Sequence, residues 1–243
     1  MKTPAKILAL AGAFAALASL ASANTVTFAT DNPNYRTGSG GEFTLIVNGG
    51  DPDHLLTGYP IGANGTDVTG GTSFETFCIQ YGEHISLGTT YTYAISTAAK
   101  GPTGTDEISI GTSWLYGQFA QGILGGYTYT AGAGRAASAS ILQQAIWYLE
   151  DEITLTPAQV TANIFLTGTY GAITHFGTFT AAHADAGPTS AVVVLNLSPV
   201  GLSDFSAQDQ LAWPHPIPDS ASTVALLGLA LLGIAGFRRK NAN

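Results

Sequence analysis

The chain has 243 residues, 16 acidic against 8 basic side chains, 30 glycines and a charged fraction of only 10%. Between residues 24 and 216 the only basic residues are Arg36, Lys100 and Arg135, facing fifteen carboxylates. That balance argues against nucleic acid or an anionic membrane surface as the partner of this region. The region is long enough for one domain with a sizeable core.

The elements follow in chain order. Lys2 and Lys6 precede an apolar run at 7–20 and an Ala21-Ser22-Ala23 cleavage site, which predicts a signal peptide over 1–23 and a mature start at Asn24. An uncleaved anchor is the alternative. Strands are expected at 25–29, 43–47, 74–80, 91–96 and 191–197, with a polar, Gly-rich loop at 51–71. The middle of the chain changes to helical period. Helices are expected at 106–124, capped by Thr105 or Asp106, at 135–150, and from Thr156-Pro157 to about 165. Residues 201–216 read as a linker. Together these predict an α+β domain over 24–200: an antiparallel β-sandwich or barrel-like core with an inserted helical section.

Cys78 is the single cysteine, so an exported chain has no internal disulfide framework to place it in. A buried inert thiol, an intermolecular disulfide and a reactive group all fit. On the helix at 135–150 the aliphatic stripe centres near Leu149, while Gln143 and Trp147 share another face, about 40° apart. A solvent face has little use for an indole. The helix therefore has a second buried side on which an amide lies beside Trp147.

Leu142-Gln143-Gln144-Ala145-Ile146-Trp147 resembles the TQxAIW signature of thioester domains in bacterial surface adhesins, with Leu142 where that family has Thr. Upstream, Thr76-Phe77-Cys78-Ile79 resembles the aromatic-Cys-aliphatic strand motif of the same domains. The resemblance covers roughly residues 74–152. It implies an internal thioester between Cys78 and Gln143, with Phe77 and Trp147 as apolar surroundings that keep water out. A thioester is an activated acyl group, so a surface amine or hydroxyl can displace the sulfur and become bonded to Gln143. That is a single covalent capture and not enzymatic turnover, and no metal, nucleotide or redox cofactor is implied. The other reading is a non-covalent structural protein of an exopolysaccharide matrix.

The C-terminus has its own grammar. Ile217-Pro218-Asp219-Ser220-Ala221 leads into an apolar stretch at 224–237 that Arg238-Arg239-Lys240 closes. This resembles the PEP-CTERM class of sorting signals in its Val-Pro-Asp-Ser-Gly variant, with Ile217 and Ala221 in place of Val and Gly. The resemblance implies export, a transient transmembrane helix within 217–243 with a basic cytoplasmic stop, and processing by an exosortase-type transpeptidase. Display at the cell surface or in the matrix follows. A simple tail anchor is the alternative for this segment.

Other residues invite weaker readings. His175 and His183 with Asp185, and Asp51 to His54, lack the ligand set of a metal site. His84 is a candidate acyl acceptor near Cys78. Glu150-Asp151-Glu152 reads as a solvated charge cluster at a helix end.

Overall fold

The computed structural model describes residues 24–30, 35–37, 40–51, 53–56, 72–101, 104–202 and 204–214. The signal peptide expected over 1–23, most of the loop expected over 51–71 and the expected sorting tail lie outside the described residues.

Among the described residues ten strands and five helices follow one another. The strands are β1 (Thr25–Phe28), β2 (Arg36–Thr37), β3 (Gly40–Gly41), β4 (Phe43–Asn48), β5 (Ser73–Thr76), β6 (Thr90–Ser96), β7 (Ala98–Gly101), β8 (Gly104–Glu107), β9 (Val193–Pro199) and β10 (Ala207–Ala212). Between β8 and β9 run α1 (Ile110–Ala120), α2 (Ala133–Leu149), α3 (Pro157–Ala162), α4 (Ala172–Phe176) and α5 (Phe179–Ala182). Six strands form one antiparallel sheet in the order β10-β9-β6-β1-β4-β5, and β2–β3 and β7–β8 are separate hairpins. The α+β character and the inserted helices therefore hold. The described residues form neither a closed barrel nor a second sheet of comparable size.

The two outer strands nevertheless meet. Just past β5 the chain leaves the ladder with β4 and turns onto β10. Ile79 N donates to Asp209 O at 3.1 Å, Leu211 N to Phe77 O at 3.0 Å, and Cys78 faces Gln210 in an isolated bridge. Side chains reinforce the junction: Thr76 Oγ1 donates to Leu211 O, Gln208 Nε2 to Gln80 O, and Asp209 N to Gln80 Oε1. These bonds satisfy edge groups that would otherwise stand unpaired.

The linker expected over 201–216 is corrected by this arrangement. All six residues of β10 are buried. Its sequence, Ala-Gln-Asp-Gln-Leu-Ala, carries no hydrophobic alternation because its polar side chains are consumed inside the protein. Asp209 accepts from Lys100 N, Leu197 N and Asn196 Nδ2.

The expected helix at 106–124 is also shorter and starts later. Residues 104–107 pair with 98–101 as a hairpin, and Ser109 is the N-cap, its hydroxyl accepting from Thr112 N. The long helix begins at Ala133, two residues earlier than expected, and ends at Leu149. Thr156 caps α3 through a full capping box with Gln159, as its Thr-Pro start implies, but the helix stops at Ala162. Sheet and helices share one core. Phe119 of α1 sits edge-on to Phe77 at 5.0 Å and to Tyr127 at 5.0 Å, which couples the helical section to the strand segment beside it.

Burial of β10 sets a test. Replacing Leu211 by Ala is expected to destabilise the domain by roughly 2–5 kcal/mol in urea unfolding, as a core truncation does. A residue of a true linker would change stability by less than about 0.5 kcal/mol.

Candidate functional site

Cys78 lies in the irregular segment between β5 and its contact with β10, and Gln143 lies in the middle of α2. Both are withdrawn from solvent, at 0% and 1% exposure. The Cys78 sulfur is 3.2 Å from Gln143 Oε1 and donates to it. The same oxygen accepts from Cys78 N at 3.3 Å and from Gly41 N at 3.3 Å. On the other side of the carboxamide, Gln143 Nε2 donates to Cys78 O at 2.7 Å. The orientation of the amide follows from these partners. Turning it over would set an NH2 group against two N–H donors and a carbonyl against a carbonyl.

Trp147, one turn beyond Gln143, is 6% exposed and Phe77 is fully buried. Tyr81 covers Trp147 from outside, edge-on at 4.9 Å, and is itself half exposed. Its backbone N–H donates to Glu152 Oε2, which ties the segment after Cys78 to the turn after α2. Among the described residues the buried Trp147 indole N–H has no hydrogen-bond partner, and it lies near enough to the Cys78 sulfur to oppose the rise of its pKa. Phe77 packs against Phe119 and so belongs to the core below the pair.

Burial pushes the Cys78 thiol well above the usual range. Its backbone N–H and the Trp147 N–H pull the other way without prevailing, and Glu152 adds to the rise. The sulfur is therefore a neutral thiol at physiological pH. A free thiolate is not available for attack, so any acyl chemistry here must move the thiol proton together with the sulfur. The donor geometry suits that, since the S–H already points at the carboxamide.

Sequence reading missed two parts of this site. Gly40 and Gly41 form β3, which lies directly against α2. A Cβ on Gly40 would sit 2.4 Å from Trp147 Cη2 and 2.7 Å from Gln143 Cγ, so only glycine allows the approach. Gly41 has φ of +116°, in the region that favours glycine. The second part is Glu42, 1% exposed, which receives a two-pronged ion pair from Arg135 of α2 and a hydrogen bond from Tyr127 Oη at 2.7 Å. The scarcity of basic residues was the available signal: Arg135 is one of three in the body and had to be matched by a carboxylate.

The remaining candidates disperse. His175 stacks on Trp114 at 4.3 Å, while His183 pairs with Asp151 at 2.9 Å. Asp51 caps Leu55 N and Leu56 N, and Asp53 accepts from Tyr93 Oη. Among the described residues no group of three or more His, Cys, Asp or Glu is arranged to hold a metal ion. The backbone O of His84 accepts from Gln208 N at 3.5 Å. The cluster at 150–152 is not simply solvated. Glu150 is 6% exposed, and its carboxylate accepts from Ser109 N and Ser109 Oγ, joining the end of α2 to the start of α1. A groove of about 430 Å³ opens beside the segment that follows Cys78, between Ile79 to Glu83, Glu152 and the β7–β8 hairpin.

Residues 216–240 match a VPDSG-CTERM motif. This is a sorting signal of the kind that exosortase-type processing recognises, and it marks the chain as an exported, surface-associated protein. Pro218, Asp219, Ser220, Arg238, Arg239 and Lys240 all fall within the match. They lie outside the described residues, as does the apolar stretch expected to cross the membrane. No helix among the described residues is long and apolar enough to do so. No curated protein and no solved structure matches the chain.

Burial raises the Glu150 carboxyl from an ordinary 4.5 to about 7, despite its bonds to Ser109, and raises Asp209 from 3.8 to about 6. The folded state therefore holds protons that the unfolded chain releases between about pH 4 and 7. Stability falls as pH rises through that window. We expect the melting temperature at pH 5 to exceed that at pH 8 by roughly 4–8 °C, and Glu150→Gln to flatten much of the difference. A melting temperature that rises with pH over this range contradicts the assignment.

Proposed function

We propose that Cys78 and Gln143 close an internal thioester, and that the exported domain uses it to attach covalently to an amine or hydroxyl on an external surface or in a polysaccharide matrix. The observation that carries this is the sulfur held 3.2 Å from the carboxamide oxygen in a fully buried contact. In bond formation Sγ attacks the Gln143 carboxamide carbon. The S–C bond forms, the C–N bond breaks, and the thiol proton leaves with the nitrogen as ammonia. Capture runs the same way. The nucleophile's nitrogen or oxygen bonds to the Gln143 carbonyl carbon, the C–S bond breaks, and the proton returns to Cys78.

Three features support this reading. The two groups are brought together by different elements, which supplies the proximity a slow acyl transfer needs. Trp147 and Tyr81 cover the pair and keep bulk water from hydrolysing the product. The sorting signal places the chain where covalent capture of an external partner has a use. With the tail processed at one end and the thioester in the body, the protein would bridge its own cell surface to something else.

A non-covalent matrix protein is the second reading, favoured by one specific observation. Both polar ends of Gln143 are already satisfied by backbone groups and the thiol is held neutral, as in a structural core contact. Methylamine separates the two. Incubation of the mature folded protein with methylamine is expected to add one methylamide at Gln143 and to free one thiol, and Cys78→Ala is expected to abolish both. Peptide mapping that finds Gln143 unmodified, with Cys78 already free in denaturant, refutes the thioester and favours the matrix reading. The thiol must be titrated in denaturant, because a buried neutral thiol resists reagents in the folded state under either reading.

A further inference from the structure

We infer that the backbone N–H groups of Gly41 and Cys78 form an oxyanion hole for the acyl chemistry at Gln143, and that the buried Glu42–Arg135–Tyr127 cluster is the device that holds the Gly41 donor in place. The inference rests on the thioester reading and assigns the group that would accelerate it.

In any attack on the Gln143 carbonyl carbon, by Cys78 or later by an incoming nucleophile, negative charge develops on Oε1. Two backbone N–H groups already address that oxygen, each at 3.3 Å. Pyramidalisation at the carbon and charge on the oxygen draw such donors closer, so the bonds strengthen towards the tetrahedral state. The site is dry, and there dipoles act with little screening. The thiol is neutral and gains nothing from its own ionisation. Stabilising the oxygen is the remaining lever on the barrier.

One of the donors belongs to the residue that carries the sulfur. The other comes from a two-residue strand with no side chain of its own to anchor it. What anchors β3 is the next residue. Glu42 is bonded through both carboxylate oxygens to Arg135, which stands on α2 two turns before Gln143, and Tyr127 Oη holds one of those oxygens. Arg135 also donates to Tyr129 O, and its guanidinium lies over the Tyr35 ring at 3.7 Å, so the pair is gripped from several sides. Strand and helix are thereby fixed to each other on either side of the Gly41–Gln143 contact. Gly40 completes the fit, since its missing side chain is what lets β3 reach Gln143 Cγ and the Trp147 ring. Gly41 is a catalytic group in this scheme because its N–H touches a reacting atom. Glu42, Arg135 and Tyr127 are positioning residues.

The test measures ammonia loss over time by intact mass after cell-free synthesis of the full chain, together with the rate of methylamine capture. Gly40→Ala, which pushes β3 away, and Glu42→Gln, which loosens its anchor, are compared with the wild type at temperatures where each is fully folded by circular dichroism. Both variants are expected to slow each rate roughly a hundredfold, the scale of losing one oxyanion donor. A merely structural role would lower the melting temperature and leave the rates of the folded fraction unchanged. If either variant does not fold, Tyr127→Phe removes a single bond to Glu42, and a slowing of about tenfold is expected from it. Folded variants that react at the wild-type rate overturn the oxyanion hole and leave the thioester reading standing. A wild type that never loses ammonia overturns both.

Discussion

The Gln143 carboxamide ties together three segments that are remote in the chain: α2 through its own side chain, the strand end at Cys78, and the glycine strand at Gly41. Its oxygen and nitrogen are satisfied by backbone groups that no other residue could address in the same way. A hydrocarbon at position 143 would leave the Cys78 and Gly41 N–H groups and the Cys78 carbonyl buried and unpaired, each a loss of about 1–3 kcal/mol. A shorter amide would not reach them. The contact therefore fixes how the helical section sits against the sheet, whatever chemistry follows from it.

Much of the architecture serves to deliver Cys78 to that contact. If β5 simply continued along β4, Cys78 would lie in an ordinary ladder. Instead the chain crosses to β10, whose buried Gln208, Asp209 and Gln210 receive it. Asp209 draws in β7 and β9 as well, through Lys100 N and Leu197 N. The polar residues of β10 are the means by which the two outer strands meet, and that meeting places the cysteine. On the opposite flank, the Glu42–Arg135 ion pair does the same for β3. Replacing one partner of such a buried pair leaves an uncompensated charge, which gives the pair a strong hold on the geometry it spans.

How much of this could be read from the residues depends on the kind of signal each carries. The period of α2, with Ile141, Leu142, Ala145, Ile146 and Leu149 on one face, marks it as a helix, and Trp147 beside Gln143 marks a second buried side. The alternation of Val26 and Phe28 with threonines marks β1. By contrast β10 has the composition of a linker, and its burial is decided by long-range hydrogen bonds that no local pattern records. The start of α1 lies later than the helical period suggests, because Ile108 extends that period backwards. Gly101 and Gly104, which pair at the end of the hairpin there, were the competing signal. Gly40 and Gly41 carry no side chain to read at all, and their role exists only where α2 packs. Glu150 looked like one of three solvated acids and proved to be buried because Ser109 waits at the head of α1. The sorting signal was legible as a sequence motif, since its readers recognise sequence.

The account stands or falls on one covalent bond. The most direct measurement is mass spectrometry of the mature secreted protein, digested at mildly acidic pH without added amines. The thioester account predicts an intact mass lower by one ammonia and a cross-linked pair of peptides, one containing Cys78 and the other Gln143. An intact mass that matches the unmodified sequence, with the Cys78 peptide recovered as a free thiol and the Gln143 peptide as an unaltered amide, contradicts it.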